Sequence, residues 1–172
     1  AGVSDCRPLR ESKGHLYEGG IRVPMIVRWP GQGPQGKLCK VPVTSMDFYP
    51  TFLELAGLKP SGKPIDGESL LPLFRKTGKL TRKTIYFHFP NYAWHMGNRL
   101  AGAVREGKWK MIRNYDDGSL ELYDLQKDLS EKRNLAKKSP QVANRLNQKL
   151  SRWLKETNAP MPTLQTNPKD VP

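Results

Sequence analysis

The chain has 172 residues, enough for one domain or for one domain and part of another. Its formal net charge of +13, from 29 basic and 16 acidic residues, attracts polyanions such as nucleic acid, an anionic membrane or a sulfated polysaccharide, although a basic surface that binds none of them has the same composition. No basic run, helix-turn-helix, zinc-finger or RNP-like pattern specifies nucleic acid, and no apolar run approaches the roughly 18 residues of a membrane helix. We therefore predict neither nucleic acid nor a membrane as a partner.

The two cysteines and the start of the chain say little about the site. Cys6 and Cys39 fit either one disulfide or two thiols, and neither has a second Cys or a His at the spacing of a zinc site. The chain opens on Ala1 rather than on a methionine, so we expect it to be part of a longer protein, and the lack of a signal peptide therefore says little.

The first third of the chain contains one predicted strand and one predicted helix. The apolar run Met25–Trp29 lies between two prolines and predicts a buried strand. Asp47 is a suitable N-cap, Pro50 fits a first helical turn, and Gly57 supplies a stop, which together predict a helix over residues 47–56.

A linker and a group of strands follow. Residues 61–83 are rich in Pro, Gly and Lys and predict a linker that contains one helical turn at the apolar island Leu70–Phe74. The β-branched and aromatic segments after it are joined by short connections that contain glycine, which favours antiparallel hairpins and predicts a four-stranded, mostly antiparallel sheet. The predicted strands are Thr84–Phe89, Ala101–Arg105, Trp109–Asn114 and Leu120–Asp124.

The last predicted element is an amphipathic helix. Ser139 is a good N-cap, and Pro140 suits the first helical position. An apolar stripe at spacings of three and four follows and is expected to pack on the sheet, with basic residues on the other side. Residues 159–172 are rich in proline and are predicted to be a tail. The stripe consists of Val142, Leu146, Leu150, Trp153 and Leu154.

These elements divide the chain into two pieces. Residues 1–60 contain a single strand and a single helix, which cannot bury a core alone, so we expect them to form the edge of an incomplete α/β domain. Residues 84–158 are predicted to form an α+β subdomain with a four-stranded antiparallel sheet and a packed C-terminal helix.

The segment most informative about function is Lys-Gly-His-Leu-Tyr-Glu-Gly-Gly-Ile-Arg-Val-Pro, residues 13–24. It places a cation, Lys13, in a glycine-bounded loop, where an ammonium group can neutralise an oxyanion as charge develops on it. The segment closely resembles a signature of the sulfatase family, enzymes that hydrolyse sulfate esters. The resemblance implies that Lys13 contacts the sulfate group of the substrate. The supporting residues, predicted to fix the loop by positive-φ backbone or by an ion pair, are Gly19 and Gly20, and Glu18 with Arg22.

The resemblance extends over nearly the whole chain, in the order expected of the family. It implies an α/β, alkaline-phosphatase-like fold, of which this chain holds the C-terminal portion with the smaller antiparallel sheet and its packed helix. It also implies that the protein is periplasmic or secreted. The matching segments are residues 47–57, 65–72, 104–110 and 121–125, with Glu131 and residues 134–135.

The resemblance also implies cofactors. Sulfatases of this kind use a formylglycine, made from the Cys or Ser of a Cys/Ser-x-Pro-x-Arg motif, beside a calcium ion held by Asp and Asn residues. We predict that neither Cys6 nor Cys39 belongs to this motif, because the residues after Cys6, Arg7-Pro8-Leu9-Arg10, are interpreted as lacking the required spacing of proline and arginine. The chain also has no Asp-Asn-Gly metal pair. The nucleophile and the calcium ligands are therefore expected upstream of Ala1, and this part alone is expected to be inactive and to bind neither cofactor.

Three histidines are candidate substrate-binding residues. His88 lies at a predicted strand end before an aromatic loop, where it can donate to a sugar hydroxyl or a sulfate, but it can equally be a packed histidine in an aromatic cluster. His95 lies in the loop that follows. His15 is two residues from Lys13, at the rim of the expected pocket.

Three functions remain open at the level of the sequence. The leading one is hydrolysis of a sulfate ester of a carbohydrate or of an aryl sulfate, and the basic charge favours the polyanionic carbohydrate. A phosphodiesterase or phosphonate hydrolase of the same fold would differ in its upstream nucleophile, a Thr or a Ser outside the formylglycine motif. A non-enzymatic polyanion-binding module would bind through residues 84–172 in a salt-sensitive manner.

Overall fold

The computed structural model describes residues 5–33, 36–62, 64–75, 78–91 and 98–163. Contacts within the chain separate the described residues into two compact units, one of residues up to 24 and from 84 onward, the other of residues 25–83. The predicted membership of residues 1–60 in a larger α/β domain stays a prediction. In chain order the elements are α1 (Glu18–Ile21), a 3-10 turn (Ser45–Asp47), α2 (Phe48–Leu55), α3 (Leu71–Arg75), β1 (Thr84–Phe89), β2 (Ala101–Glu106), β3 (Trp109–Asn114), β4 (Leu120–Asp124) and α4 (Pro140–Glu156).

The first unit is built on one antiparallel sheet with the strand order β1-β2-β3-β4. Three strands have the predicted bounds and β2 is one residue longer, so the predicted sheet is confirmed. The register pairs Val104 with Met111 and Met111 with Leu122, and the alternation of side chains along a strand puts all three on one face. Gly107 and Gly118, at φ +57° and +69°, supply the left-handed backbone of the turns from β2 to β3 and from β3 to β4.

Helix α4 packs on that face. Leu146 and Leu150 are fully buried against it, and each contributes about 1.5–3 kcal/mol of apolar burial. Tyr86 of β1 stacks on Trp153 with ring centroids 5.0 Å apart. Gly102 lets the helix approach, because a Cβ there would lie 2.9 Å from Leu150 Cδ2. The predicted apolar stripe is therefore confirmed.

The two predicted N-caps do not make the predicted hydrogen bonds. The side chain of Ser139 makes no cap bond, although its carbonyl accepts the N–H of Ala143 at 3.1 Å, as the carbonyl of an N-cap residue ordinarily does. Asp47 has helical backbone and turns its carboxylate away from α2. That carboxylate accepts hydrogen bonds from the N–H of Thr44 at 2.7 Å and from Nη1 and Nη2 of Arg82, at 2.5 and 2.7 Å. A distant arginine has thus replaced the helix as the partner of Asp47.

The opposite face of the sheet is covered by residues 5–22, called the signature loop below. Leu16 and Tyr17 of this loop pack on Ile112 and on the ring of Tyr123, whose centroid lies 6.4 Å from that of Tyr17. The sheet therefore lies between α4 on one face and the signature loop on the other. Both layers belong to the same unit.

The second unit contains α2 and α3. Helix α2 ends as predicted at Gly57, which has φ +69°, and the N–H of Leu58 bonds to the carbonyl of Leu53 at 2.8 Å. Helix α3 confirms the helical turn predicted in the linker. The buried strand predicted at Met25–Trp29 is wrong, because this segment pairs with none of the described strands and Ile26 is 94 % exposed. A strand is buried only where neighbours satisfy its backbone groups.

Two further observations concern the described residues as a whole. Cys6 and Cys39, both of which are described, do not form a disulfide. No helix within the described ranges combines the length and the apolar character that crossing a bilayer requires.

Candidate functional site

Lys13 lies in a short turn at the outer edge of the signature loop. The turn is closed by the N–H of His15, which donates to the Ser12 carbonyl at 3.3 Å, and Gly14 has φ +96°. The buried side chain of Asn98 donates to the carbonyl of Gly14 at 2.5 Å and ties the turn down. The side chain of Lys13 is exposed and makes no hydrogen bond or ion pair with another described residue. The turn thus holds a cation that is free to meet an anion.

Gly19 and Gly20 have a different role from the predicted one. Neither has a positive φ, because both lie within α1. Glycine is required at both positions because α1 lies close to the backbone of the preceding segment. A Cβ on Gly19 would lie 2.5 Å from the Arg10 carbonyl oxygen, and a Cβ on Gly20 would lie 2.7 Å from the Ser12 carbonyl oxygen. The positive-φ prediction is therefore wrong, and these glycines allow α1 to lie directly on the backbone around Lys13.

Glu18 joins the signature loop to the sheet through a buried ion group. Lys110 of β3 is fully buried, and its Nζ lies 3.1 Å from Glu18 Oε1 and 2.8 Å from Glu131 Oε1. Glu131 Oε2 accepts the backbone N–H of Glu18 at 2.6 Å. Glu18, Lys110 and Glu131 are called the buried ion triad below. The predicted pair between Glu18 and Arg22 is confirmed, with Nη1 of Arg22 at 3.5 Å.

The buried ion triad sets one cation against two carboxyl groups in a site that excludes water. Burial raises the pKa of the Glu131 carboxyl, although Lys110 opposes this shift. Removing a single partner from such a group costs about 3–5 kcal/mol, because a buried charge is left uncompensated. The triad therefore ties the signature loop firmly to β3.

A second polar cluster holds the start of the loop. Arg10 Nη1 donates to the hydroxyl of Tyr123 and to the backbone carbonyl of Glu131, both at 3.0 Å, and its guanidinium carbon lies 3.8 Å from the ring centroid of Tyr17. The Tyr17 hydroxyl donates to the carboxylate of Glu121 at 3.0 Å. Burial raises the pKa of Tyr17 and of Tyr123, so both hydroxyls remain protonated donors at neutral pH.

The predicted histidines lie in different places. His15 is half-buried next to Lys13, with Nδ1 at 3.2 Å from the Ser12 carbonyl. His88 lies on the α4 face of the sheet, where Nδ1 is 2.7 Å from the Tyr115 hydroxyl and Nε2 is 2.7 Å from the Pro160 carbonyl. To reach a substrate, His88 would have to give up one of these two contacts, so its geometry is that of the packed alternative. The substrate-binding role of each histidine stays a prediction, and His95 lies outside the described residues.

The exclusion of Cys6 from the formylglycine motif is corrected in its reason. The reason for setting it aside, the spacing of the residues after it, is wrong, because Cys6-Arg7-Pro8-Leu9-Arg10 has the Cys-x-Pro-x-Arg spacing. The structure supplies a different argument against it. Arg10, the arginine of this match, is bonded to Tyr123 and to the Glu131 backbone and is therefore engaged in holding the loop.

The described residues do not fit a calcium ion. Within the described ranges, no group of three or more His, Cys, Asp or Glu side chains is arranged to hold a metal. Calcium prefers six to eight oxygen ligands, so a cluster of carboxylates would be needed. No chemical step can be assigned to a metal held by this part of the chain.

Lys110 and Glu131 were missed as supporting residues of the site. The strand pattern contained a signal for Lys110, because it shares the parity of Ile112 on β3 and therefore points to the covered face. A lysine at such a position needs buried anionic partners. Glu131 lies in a loop at φ +51°, where no periodicity reveals the direction of its side chain.

Comparison with known proteins places the chain in a family. A family model described as N-sulphoglucosamine sulphohydrolase, C-terminal, matches residues 12–159. A sulfatase from Formosa agariphila is 34 % identical to the chain, in an alignment that covers 99 % of this chain and 34 % of the relative. The chain thus spans about a third of the length of this relative.

Solved structures agree. Ps i-CgsB, solved in complex with k-i-k-neocarrahexaose, is similar with a TM-score of 0.71 and 31 % identity, over 86 % of this chain and 32 % of that one. BT4656, solved in complex with its substrate D-glucosamine-2-N,6-O-disulfate, is similar with a TM-score of 0.57 and 28 % identity, over 70 % of this chain and 25 % of that one. The chain belongs to the sulfatase family and carries the C-terminal portion of its fold.

Proposed function

We propose that this chain supplies the sulfate-contacting lysine and the C-terminal subdomain of a sulfatase that hydrolyses sulfate esters of a carbohydrate. The observation that carries the proposal is the exposed Lys13, which has no partner among the described residues and stands on a loop held by buried ions. In the reaction, water replaces the alcohol on sulfur and the sugar hydroxyl leaves. A cation against the sulfate oxygens stabilises the charge that develops as the S–O bond to the sugar breaks.

A sulfated carbohydrate is supported by two observations. Ps i-CgsB and BT4656 were solved in complex with saccharide ligands, and the second of these ligands is a disulfated glucosamine. The net charge of +13 favours a polyanionic substrate through long-range attraction. A small aryl sulfate would share the same contact at Lys13 but would gain less from this field.

The nucleophile and the metal are proposed to come from residues other than those described. Formylglycine and calcium are features of the family that this chain resembles, and the described residues do not fit a calcium ion. The relatives compared are three to four times as long as the part they share with this chain. We accordingly propose that the chain alone is inactive. Export to the periplasm or the medium is proposed from the same resemblance.

The proposal is tested by assaying the full-length enzyme and the 172-residue chain on matched esters. We expect the full-length enzyme to turn over a nitrophenyl sulfate and a sulfated disaccharide, and the chain alone to turn over neither. Faster hydrolysis of a bis-nitrophenyl phosphate than of the sulfate would assign the protein to the phosphodiesterase alternative. Salt-sensitive binding of a polyanion with no hydrolysis of any ester by the full-length protein would favour the binding module.

A further inference from the structure

We propose that Lys110 acts as a positioning residue for Lys13, so that the buried ion triad controls the rate of sulfate-ester hydrolysis without touching the substrate. This inference rests on the proposed function of Lys13. It concerns a residue on the sheet, 97 positions further along the chain, whose side chain is fully buried.

The connection begins at the first residue of α1. Lys110 contacts the Glu18 carboxylate at 3.1 Å, while Glu131 accepts the Glu18 backbone N–H at 2.6 Å. Both the side chain and the backbone of Glu18 are therefore held by groups that lie on or beside the sheet. This double attachment fixes the position and the direction of the first turn of α1.

The connection continues from α1 to the turn of Lys13. The N–H of Gly19 donates to the Arg10 carbonyl at 2.8 Å. The backbone of Gly20 lies so close to the carbonyls of Ser12 and His15 that a Cβ would lie within 3.0 Å of both residues. Lys13 lies between those two residues, so α1 cannot shift towards them without moving the backbone that carries Lys13.

The ionic nature of the triad favours a positioning role over a purely stabilising one. A buried group of this kind can often be replaced by neutral side chains of similar volume without loss of stability, because burying the charges is itself costly. What neutral side chains do not reproduce is the set of directional contacts that Lys110 and Glu131 make to Glu18. A displacement of about 1 Å at a catalytic group can lower the rate about 100-fold.

The test is a double-mutant cycle in the full-length enzyme, with a nitrophenyl sulfate as substrate. One variant is Lys110→Met. Since that change leaves two buried carboxyl groups and can prevent folding, a second variant combines Glu18→Gln, Lys110→Met and Glu131→Gln. Each is made in the wild-type background and in a Lys13→Ala background. We expect kcat/KM to fall about 10- to 100-fold when Lys13 is present and by less than about threefold when it is absent.

The outcomes separate the inference from the function on which it rests. If the triad variants lower kcat/KM by the same factor in both backgrounds, Lys110 does not act through Lys13, and the inference is wrong while the role of Lys13 stands. If Lys13→Ala alone leaves kcat/KM unchanged, the proposed function of Lys13 fails and the inference fails with it. Glu106→Gln breaks an ion group on the α4 face and serves as the control, and we expect it to lower kcat/KM equally in both backgrounds or not at all.

A second readout does not depend on activity. Lys13 is exposed, and the peptide bond after it is a trypsin site whose cleavage reports the order of the turn. We expect the triple variant, but not Glu106→Gln, to be cleaved after Lys13 at least about 10 times faster than the wild type, as measured by mass spectrometry under native conditions. Unchanged cleavage in the triple variant would overturn the inference even if turnover fell.

Discussion

Gly20→Ala is a substitution for which helix propensity and the close approach of the backbone predict opposite effects on stability. Gly20 lies in α1 with an ordinary helical φ, where alanine is normally favoured over glycine by about 1 kcal/mol. In this structure the added Cβ would lie 2.7 Å from the Ser12 carbonyl oxygen and 2.8 Å from the carbonyl carbon of His15. Both obstacles are backbone atoms, so no side-chain rotation can relieve the overlap.

The size of the effect follows from the movement required. Ordinary contact begins at 3.4 Å, so the turn around Lys13 must move by about 0.7 Å or more. That movement strains the bonds from His15 to Ser12, from Gly19 to Arg10 and from Asn98 to Gly14, each of which contributes about 1 kcal/mol. After the gain in helix propensity is subtracted, we expect a net loss of about 2 kcal/mol in the free energy of unfolding.

The assay is urea unfolding of the full-length enzyme, followed by tryptophan fluorescence, together with kcat on a nitrophenyl sulfate. Gly107→Ala is the control, since Gly107 has φ +57° with no atom near its missing Cβ and should cost only about 1 kcal/mol. We expect Gly20→Ala to lower both stability and kcat, and Gly107→Ala to lower stability alone. A Gly20→Ala protein as stable as the wild type would refute the close-approach argument.

Three other predictions concern acid stability, the nucleophile and backbone strain. Burial opposes ionisation of Glu106, but hydrogen bonds from Lys149 and Arg145 lower its pKa to about 2, so the stability that it contributes is complete above its ordinary pKa near 4.5 and is lost as the pH falls towards 2. Glu106→Gln should therefore lower the free energy of unfolding by about 1–2 kcal/mol at pH 7, which is less than the shift implies because the basic partners are partly exposed. The difference should shrink as the pH falls through about 2, and a constant difference across a pH series would contradict this. Cys6→Ala should leave kcat of the full-length enzyme within about threefold of wild type, whereas loss of turnover would assign Cys6 as the formylglycine precursor. Glu11→Gly should raise the midpoint of thermal unfolding by relieving about 0.5–1 kcal/mol of strain, since Glu11 has φ +59°; a lowered midpoint would show that its side chain is needed.

The elements of the C-terminal sheet could be predicted from the sequence because their causes are local. The glycines at 107 and 118 lie in turns at positive φ, and the segment between them has the β-branched and aromatic composition and the length of a strand, which is β3. The stripe on α4 likewise depends only on spacing, and Leu146 and Leu150 are buried as predicted. Local causes of this kind are visible in a window of a few residues.

The errors arose where a distant group decides the outcome. Asp47 was predicted to cap a helix, but its carboxylate instead pairs with Arg82, 35 residues away. Strand parity indicates that Lys110 points to the covered face, but its partners, Glu18 and Glu131, lie in distant segments on either side of it in the chain. Gly20 was predicted to have a positive φ, but it is glycine because the backbone of residues 12 and 15 leaves no room for a side chain. Each of these depends on tertiary contacts that spacing does not encode.

The most direct test of the account is the turnover of Lys13→Ala in the full-length enzyme, compared with Lys137→Ala, a change at another exposed lysine of the same unit. Losing a cation that stabilises transition-state charge should lower kcat/KM for a nitrophenyl sulfate about 100- to 1,000-fold, with the unfolding midpoint unchanged. Lys137→Ala should alter neither quantity. A value of kcat/KM for Lys13→Ala within about threefold of wild type would contradict the central claim, because Lys13 would then not stabilise the charge that develops in the transition state.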